Sequence, residues 1–118
     1  MVDLYEELDE LTDRLERELE TCRTSGCALA RNEREYRAAL RLAILEERRR
    51  GTPATVTGDL CRGREDIADL RCQRDCSEAI YRASQEAINV IKLRIRMVDA
   101  QIARVWNSGG VTEGGYLR

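Results

Sequence analysis

The chain has no histidine and no phenylalanine, one proline, and one lysine, Lys92. Without imidazole there is no Ser-His-Asp or Cys-His nucleophilic pair and no metal site built on histidine. The Glu-x-x-His spacing of di-metal bundles is missing for the same reason. Neither a phosphate-binding Gly-x4-Gly-Lys loop nor a dinucleotide fingerprint occurs. Thiolates and carboxylates are all that remain for chemistry, and the sequence predicts a protein that is not an enzyme and uses no cofactor and no metal.

Long apolar runs are also missing. No segment approaches the length of a bilayer-crossing helix, and "MVDLYEELDE" is acidic from its third residue, which is unlike a secretory leader. The expectation is a protein of the cytoplasm that does not enter a membrane. The five cysteines, Cys22, Cys27, Cys61, Cys72 and Cys76, are an odd number, which favours reduced thiols over a disulfide framework. Cys72 and Cys76 are four apart and share a helix face, whereas Cys22 and Cys27, five apart, do not share one well. In an antiparallel hairpin Cys72 faces the region of residue 42, far from Cys22, so a four-cysteine zinc site within one chain fails on geometry; a site shared between subunits stays open, and small buried apolar cysteines are the favoured reading.

What the chain does contain is charge and helix-forming residues. Of its 118 residues 36% are Asp, Glu, Lys or Arg, and only Tyr5, Tyr36, Tyr81, Trp106 and Tyr116 are aromatic. Such a composition belongs to long helices or coiled coils and not to sheet proteins. The net charge of −2 hides an asymmetry: residues 1–21 carry nine acids against Arg14 and Arg17, while residues 31–50 carry seven arginines against four glutamates.

Apolar positions step by three and four from Leu4 through Leu8, Leu11, Leu15, Leu19, Cys22, Gly26, Leu29, Glu33, Tyr36, Leu40 and Ile44. A second series runs Ile67, Leu70, Arg74, Ser77, Tyr81, Ser84, Ile88, Ile91, Ile95, Val98, Ile102 and Val105. Each is one stripe of an amphipathic helix. The sequence therefore predicts an all-α fold, a long antiparallel helical hairpin of coiled-coil type over residues 1–107. Its helices cover about 3–50 and 64–107, joined by a loop at 51–63 and followed by a flexible glycine-rich tail at 108–118. Gly26 costs about 1 kcal/mol against alanine in a helix interior, so a kink or a local break is expected at 24–26.

Antiparallel pairing centred on that loop sets Trp106 beside Leu8, Leu15 beside Asp99, and Glu33 beside Tyr81. The polar members of the seam, Glu33, Arg74, Ser77 and Ser84, read as devices that specify register. Ile80, Ala83, Ala87 and Val90 widen the second stripe beyond what one partner helix covers. They are the candidate oligomer face, and self-association, a dimer first of all, would complete a four-helix bundle.

At the loop, Arg48, Arg49 and Arg50 meet Arg62 and Arg64, forming a candidate anion- or partner-binding tip. Glu46, Glu47, Glu65 and Asp66 stand close enough in sequence to neutralise it, and cations at a helix C-terminus also favour the macrodipole. "TGDL" places Thr57 and Asp59 as caps of a short turn, with Val56 and Leu60 plugging the hairpin end.

The segments "EREYRAALRLAILEERRRGTPATVTGDLCRG" and "ADLRCQRDCSEAIYRASQEAINVIKLRIRMVDAQIARVW" carry a resemblance. Over about residues 33–106, with the Thr-Pro loop, the Asp-Leu-x-Arg-Gly turn and the Glu-Ala-Ile-Asn run, the chain resembles small helical proteins encoded by bacteriophages and prophages. The resemblance implies an accessory role in a bacterial host cell, beside replication and recombination genes, with no catalytic residue to carry over. Two functions follow as expectations. One is a non-catalytic oligomeric adaptor or inhibitor acting on a host or phage protein. The other is nucleic-acid or nucleotide-phosphate binding through the basic tip, as in a recombination accessory or a nucleotide-sequestering protein.

Overall fold

The computed structural model describes residues 3–108 in full and the backbone alone of residues 109–117. Of the flexible tail expected over 108–118, Ser108 is described and continues α3, and the rest falls outside the fully described residues. Three helices follow in order, α1 (Leu4–Arg49), α2 (Ala54–Arg62) and α3 (Glu65–Leu117), and there is no strand among the described residues. The chain is all-α, and its two long helices pair antiparallel as a helical hairpin.

Contacts divide the chain into two units. One joins Met1–Glu20 to Ser84–Arg118, here the terminal unit; the other, Thr21–Ala83, is the loop unit. In the terminal unit Leu11, Ile91 and Val98 are buried, with Leu4, Leu8, Leu15, Ile95 and Ile102 packed against them. In the loop unit the buried residues are Tyr36, Ala43, Cys61 and Ile67, flanked by Ala39, Leu40, Ile44 and Leu70. Both cores are seams one side chain wide, as expected of a chain whose apolar residues lie on a stripe.

α1 passes through residues 24–26 without a break, and the glycine does not interrupt the helix. The reason is a close approach. A Cβ placed on Gly26 would lie 3.1 Å from Tyr81 Cε1. Glycine here makes room for an aromatic ring from α3, and the packing of that ring offsets the helix-propensity cost.

The stripes face inward as the sequence indicates, but their pairing is displaced. Glu33 pairs with Arg74 (3.2 Å) and not with Tyr81, which packs on Gly26. The shift is seven residues, one heptad, so the three-four stepping is preserved and cannot reveal it. In the terminal unit Leu8 and Leu15 lie in the cluster with Ile91 and Val98. Trp106, expected beside Leu8, is 72% exposed, and Val105 is 64% exposed.

The polar seam residues are all partnered. Asn32 Nδ2 donates to Ser77 Oγ (2.6 Å), and Ser84 Oγ donates to the Glu18 carbonyl (3.2 Å). Buried Ser25 donates to the Cys22 carbonyl (3.2 Å). No buried side-chain polar atom among the described residues lacks a partner.

The expected loop at 51–63 contains a helix of its own. Gly51 takes φ +88°, the left-handed value that ends α1. Gly51 N–H donates to Arg48 O and Thr52 N–H to Glu47 O, each at 3.1 Å. These two bonds make a Schellman cap. Pro53 then opens α2 at φ −58°, a position where its missing N–H costs nothing.

The details of α2 correct three expectations. Thr57 does not cap; its hydroxyl donates back to the Pro53 carbonyl at 2.8 Å. Asp59 caps nothing either and stands out in solvent beside Arg62. Val56 and Leu60 do not plug the hairpin end, because both are exposed, while Thr57 and Cys61 are buried at 2% and 0% exposure. The buried face of α2 is one residue around from the face that apolarity alone suggests.

Candidate functional site

The basic tip is assembled by the cap of α1, by α2 and by the first turn of α3. Glu47 is central to it: its carboxylate accepts from Thr52 Oγ1 (2.9 Å) and from Arg50 (3.2 Å). Arg62 pairs with Asp59 at 3.6 Å. Arg64 makes a two-pronged bond to Asp66 (2.9 and 3.2 Å) and approaches Glu46 at 3.7 Å. The Arg64 guanidinium holds the Asp66 carboxyl below its ordinary value, helped by the Ile67 N–H, and Asp66 in turn holds the Arg64 charge more firmly.

Of the five arginines predicted here, three therefore meet carboxylates within the loop unit. Arg48, Arg49 and Arg50 are exposed at the end of α1. Arg62 lies over Gly58, where an added Cβ would be 2.9 Å from its Nη1. Acids near the tip neutralise much of its charge, and what it offers an anion is chiefly Arg48 and Arg49.

A second constellation lies midway along the loop unit. Gly26, Leu29, Ala30 and Tyr81 floor an open groove of about 830 Å³, with Glu33 and Arg74 on its rim. Arg74 is the hub of that rim. It reaches Glu33 (3.2 Å) and Asp75 (2.9 Å), and its guanidinium carbon sits 4.8 Å from the Tyr36 ring centroid. This is cation–π geometry. The Glu33 carboxyl is held below its ordinary value first by the hydrogen bond from Arg37, against some desolvation, and then by Arg74. The sequence reading treated Gly26 as a weakness of α1 and missed this groove. The available signal was a glycine on the buried stripe of one helix and a tyrosine on that of the other.

The cysteines are not the buried apolar residues expected. Only Cys61 is buried; Cys22 is half-buried, and Cys27, Cys72 and Cys76 are exposed. Cys72 and Cys76 share a smaller groove of about 400 Å³ with Ala68, Ala79, Arg62, Arg71 and Asp75. The Cys72 thiol is held above its ordinary value first by its hydrogen bond with Cys76 and by that sulfur's charge. Desolvation, Asp75 and Asp69 add to the shift.

The candidate oligomer face divides between the units. In the loop unit Ile80 and Ala83 are exposed; in the terminal unit Val90 is exposed and Ala87 half-buried. The sequence reading stopped at Val90, but the exposed apolar row of the terminal unit continues through Leu93 (54%) and Met97 (60%). Those residues continue the helical spacing, and the charges between them obscured it. No described helix is long and apolar enough to cross a membrane.

No protein-family model, curated protein or solved structure matches the chain.

Proposed function

We propose that this chain is a non-catalytic accessory protein of phage or prophage type, a helical adaptor or inhibitor that acts in the bacterial cytoplasm by self-association and by binding a protein partner. The observation that supports the reading is the second apolar row of α3 in the terminal unit. Ile88, Ile91, Ile95 and Val98 are spent on α1, while Val90, Leu93 and Met97 remain more than half exposed one step around the helix. A hairpin with apolar residues on two faces of one helix is half of a four-helix arrangement.

Magnitudes limit how tight that association is. A Val, Leu or Met side chain gains about 1.5–3 kcal/mol on full burial, so burying the remaining half adds about 1 kcal/mol per residue. Three residues from each of two copies then contribute about 6 kcal/mol gross. This is comparable with the entropic cost of association, about 4–15 kcal/mol. The row alone supports a weak, concentration-dependent dimer.

The test is size-exclusion chromatography with light scattering across a range of protein concentrations. The expected result is a mass rising toward twice 13.5 kDa, and a fall to the monomer in Val90→Lys with Met97→Glu. A monomer at every concentration would sink the self-association half of the reading. The alternative, phosphate binding at the tip, draws its support from the exposed guanidinium groups of Arg48 and Arg49.

A further inference from the structure

We propose that Cys72 and Cys76 form one half of a thiolate site for a zinc-class d10 cation, completed by the same pair of a second copy of the chain. The inference rests on the self-association reading and names what would draw two copies together in the loop unit.

The geometry of the pair favours metal over disulfide. Residues four apart on a helix hold their Cβ atoms about 5–6 Å apart. An intrahelical disulfide needs about 3.5–4.5 Å and does not close without moving the backbone. Two sulfurs bound to one zinc at about 2.3 Å and the tetrahedral angle are about 3.8 Å apart, a span that such a pair reaches by rotation about χ1. The two thiols line one groove. Both are exposed on one face of α3.

The pair is incomplete alone. Among the described residues no third His, Cys, Asp or Glu joins it in a metal-holding group. A structural zinc site of this class takes four ligands, so two pairs are the simplest completion. The surroundings suit the approach of a second helix. Ala68 and Ala79 line the same groove, and their small side chains let backbones come close. Ile80 and Ala83 continue as exposed apolar surface.

Charge also fits. Four thiols give up four protons as one divalent cation enters, leaving a centre of net charge −2. Arg62 and Arg71 line the groove in each copy beside Asp75, with Arg62 also paired to Asp59 and Arg71 to Asp75, so arginines outnumber the groove's own carboxylate around that centre by two to one. Thiols lose their protons when they bind the cation, and binding therefore weakens as pH falls.

The experiment uses the full-length chain, metal-stripped and kept reduced with a phosphine, titrated with cadmium chloride and, in a second series, zinc chloride. Cadmium-thiolate ultraviolet absorption counts the ligands, and light scattering measures mass in the same samples. The expected result is saturation at one cation per two chains with four-thiolate absorption, and a dimer population that rises with cation and reverses with EDTA. Cys72→Ser with Cys76→Ser abolishes both signals, and Cys22→Ser with Cys27→Ser retains them. Circular dichroism verifies that each variant is folded.

Saturation at one cation per chain, binding that survives Cys72→Ser with Cys76→Ser, or no binding would overturn the site. Dimerisation in EDTA that ignores the Cys72 and Cys76 substitutions, with no cadmium-thiolate absorption and no gain in dimer when cation is added, would overturn the site and leave the adaptor reading standing. A monomer with and without cation would end both.

Discussion

The Tyr81 ring occupies the space that a side chain at residue 26 would need, with Cε1 3.1 Å from where a Cβ on Gly26 would stand. This contact keeps α1 helical through its one glycine and floors the groove of the loop unit. Gly26→Ala is expected to be near neutral in urea melts, because the helix-propensity gain of about 1 kcal/mol offsets a small shift of the ring. Gly26→Leu expels the ring and costs about 1–3 kcal/mol, the usual price of overpacking. Equal midpoints for the two variants would show that the ring does not depend on the glycine.

The Glu33 cluster makes stability depend on pH in a definite direction. Its carboxyl lies below the ordinary value in the folded chain, first because Arg37 donates to it and then because of Arg74. A depressed folded-state value stabilises above the ordinary carboxylate range and loses that contribution as pH falls through the folded value. Thermal melts of Glu33→Gln should therefore lie below wild type at neutral pH and converge with it in acid. Parallel curves across the whole range would mean that the ion pairs contribute nothing.

Cys61 and Ile67 pin α2 to the loop unit, being 0% and 2% exposed. Ile67→Ala should cost about 2–5 kcal/mol of stability. Its first sign should be faster amide exchange at 54–62, where a nine-residue helix has little stability of its own. Cys61→Ser places a hydroxyl in the same apolar pocket and should cost about 1–3 kcal/mol. Uniform loss of protection along the chain would argue that α2 is not a separate opening unit.

Arg48→Ala with Arg49→Ala and Arg50→Ala tests the tip. The expected outcome is unchanged mass by light scattering and no low-salt gel shift with single- or double-stranded DNA in either protein, because carboxylates meet Arg50, Arg62 and Arg64. A shift in the wild type that weakens steeply with salt and vanishes in the triple variant would move the function to the phosphate-binding alternative.

The long helices were legible in the sequence because a stripe of three-four spacing has only one efficient way to leave water. Leu11, Tyr36, Ile67, Ile88, Ile91 and Val98 all fall on the predicted stripes and are all buried. α2 was harder to read. Nine residues with Thr57 and Cys61 on the inner face carry too little apolar contrast to announce a helix, and its true cap is a proline without a side-chain hydrogen bond. The cysteines were misjudged for a related reason. Residue type indicates a preference for burial, yet Cys72 and Cys76 lie on the side of α3 that the stripe turns outward.

From its residues alone, this chain specifies two amphipathic helices with a chain reversal between them and polar groups set into their seam. Periodicity, glycine and proline chemistry act locally and need no knowledge of a partner surface. Register is different. A slip of one heptad leaves every apolar position facing inward, so the stripes are nearly indifferent to whether Glu33 meets Tyr81 or Arg74. The tertiary structure decided it through contacts that tolerate only one alignment. Tyr81 has its glycine, Ser77 its Asn32 and Ser84 the Glu18 carbonyl. A shift of seven residues would leave a ring without space, and the buried Ser84 and half-buried Ser77 hydroxyls without partners.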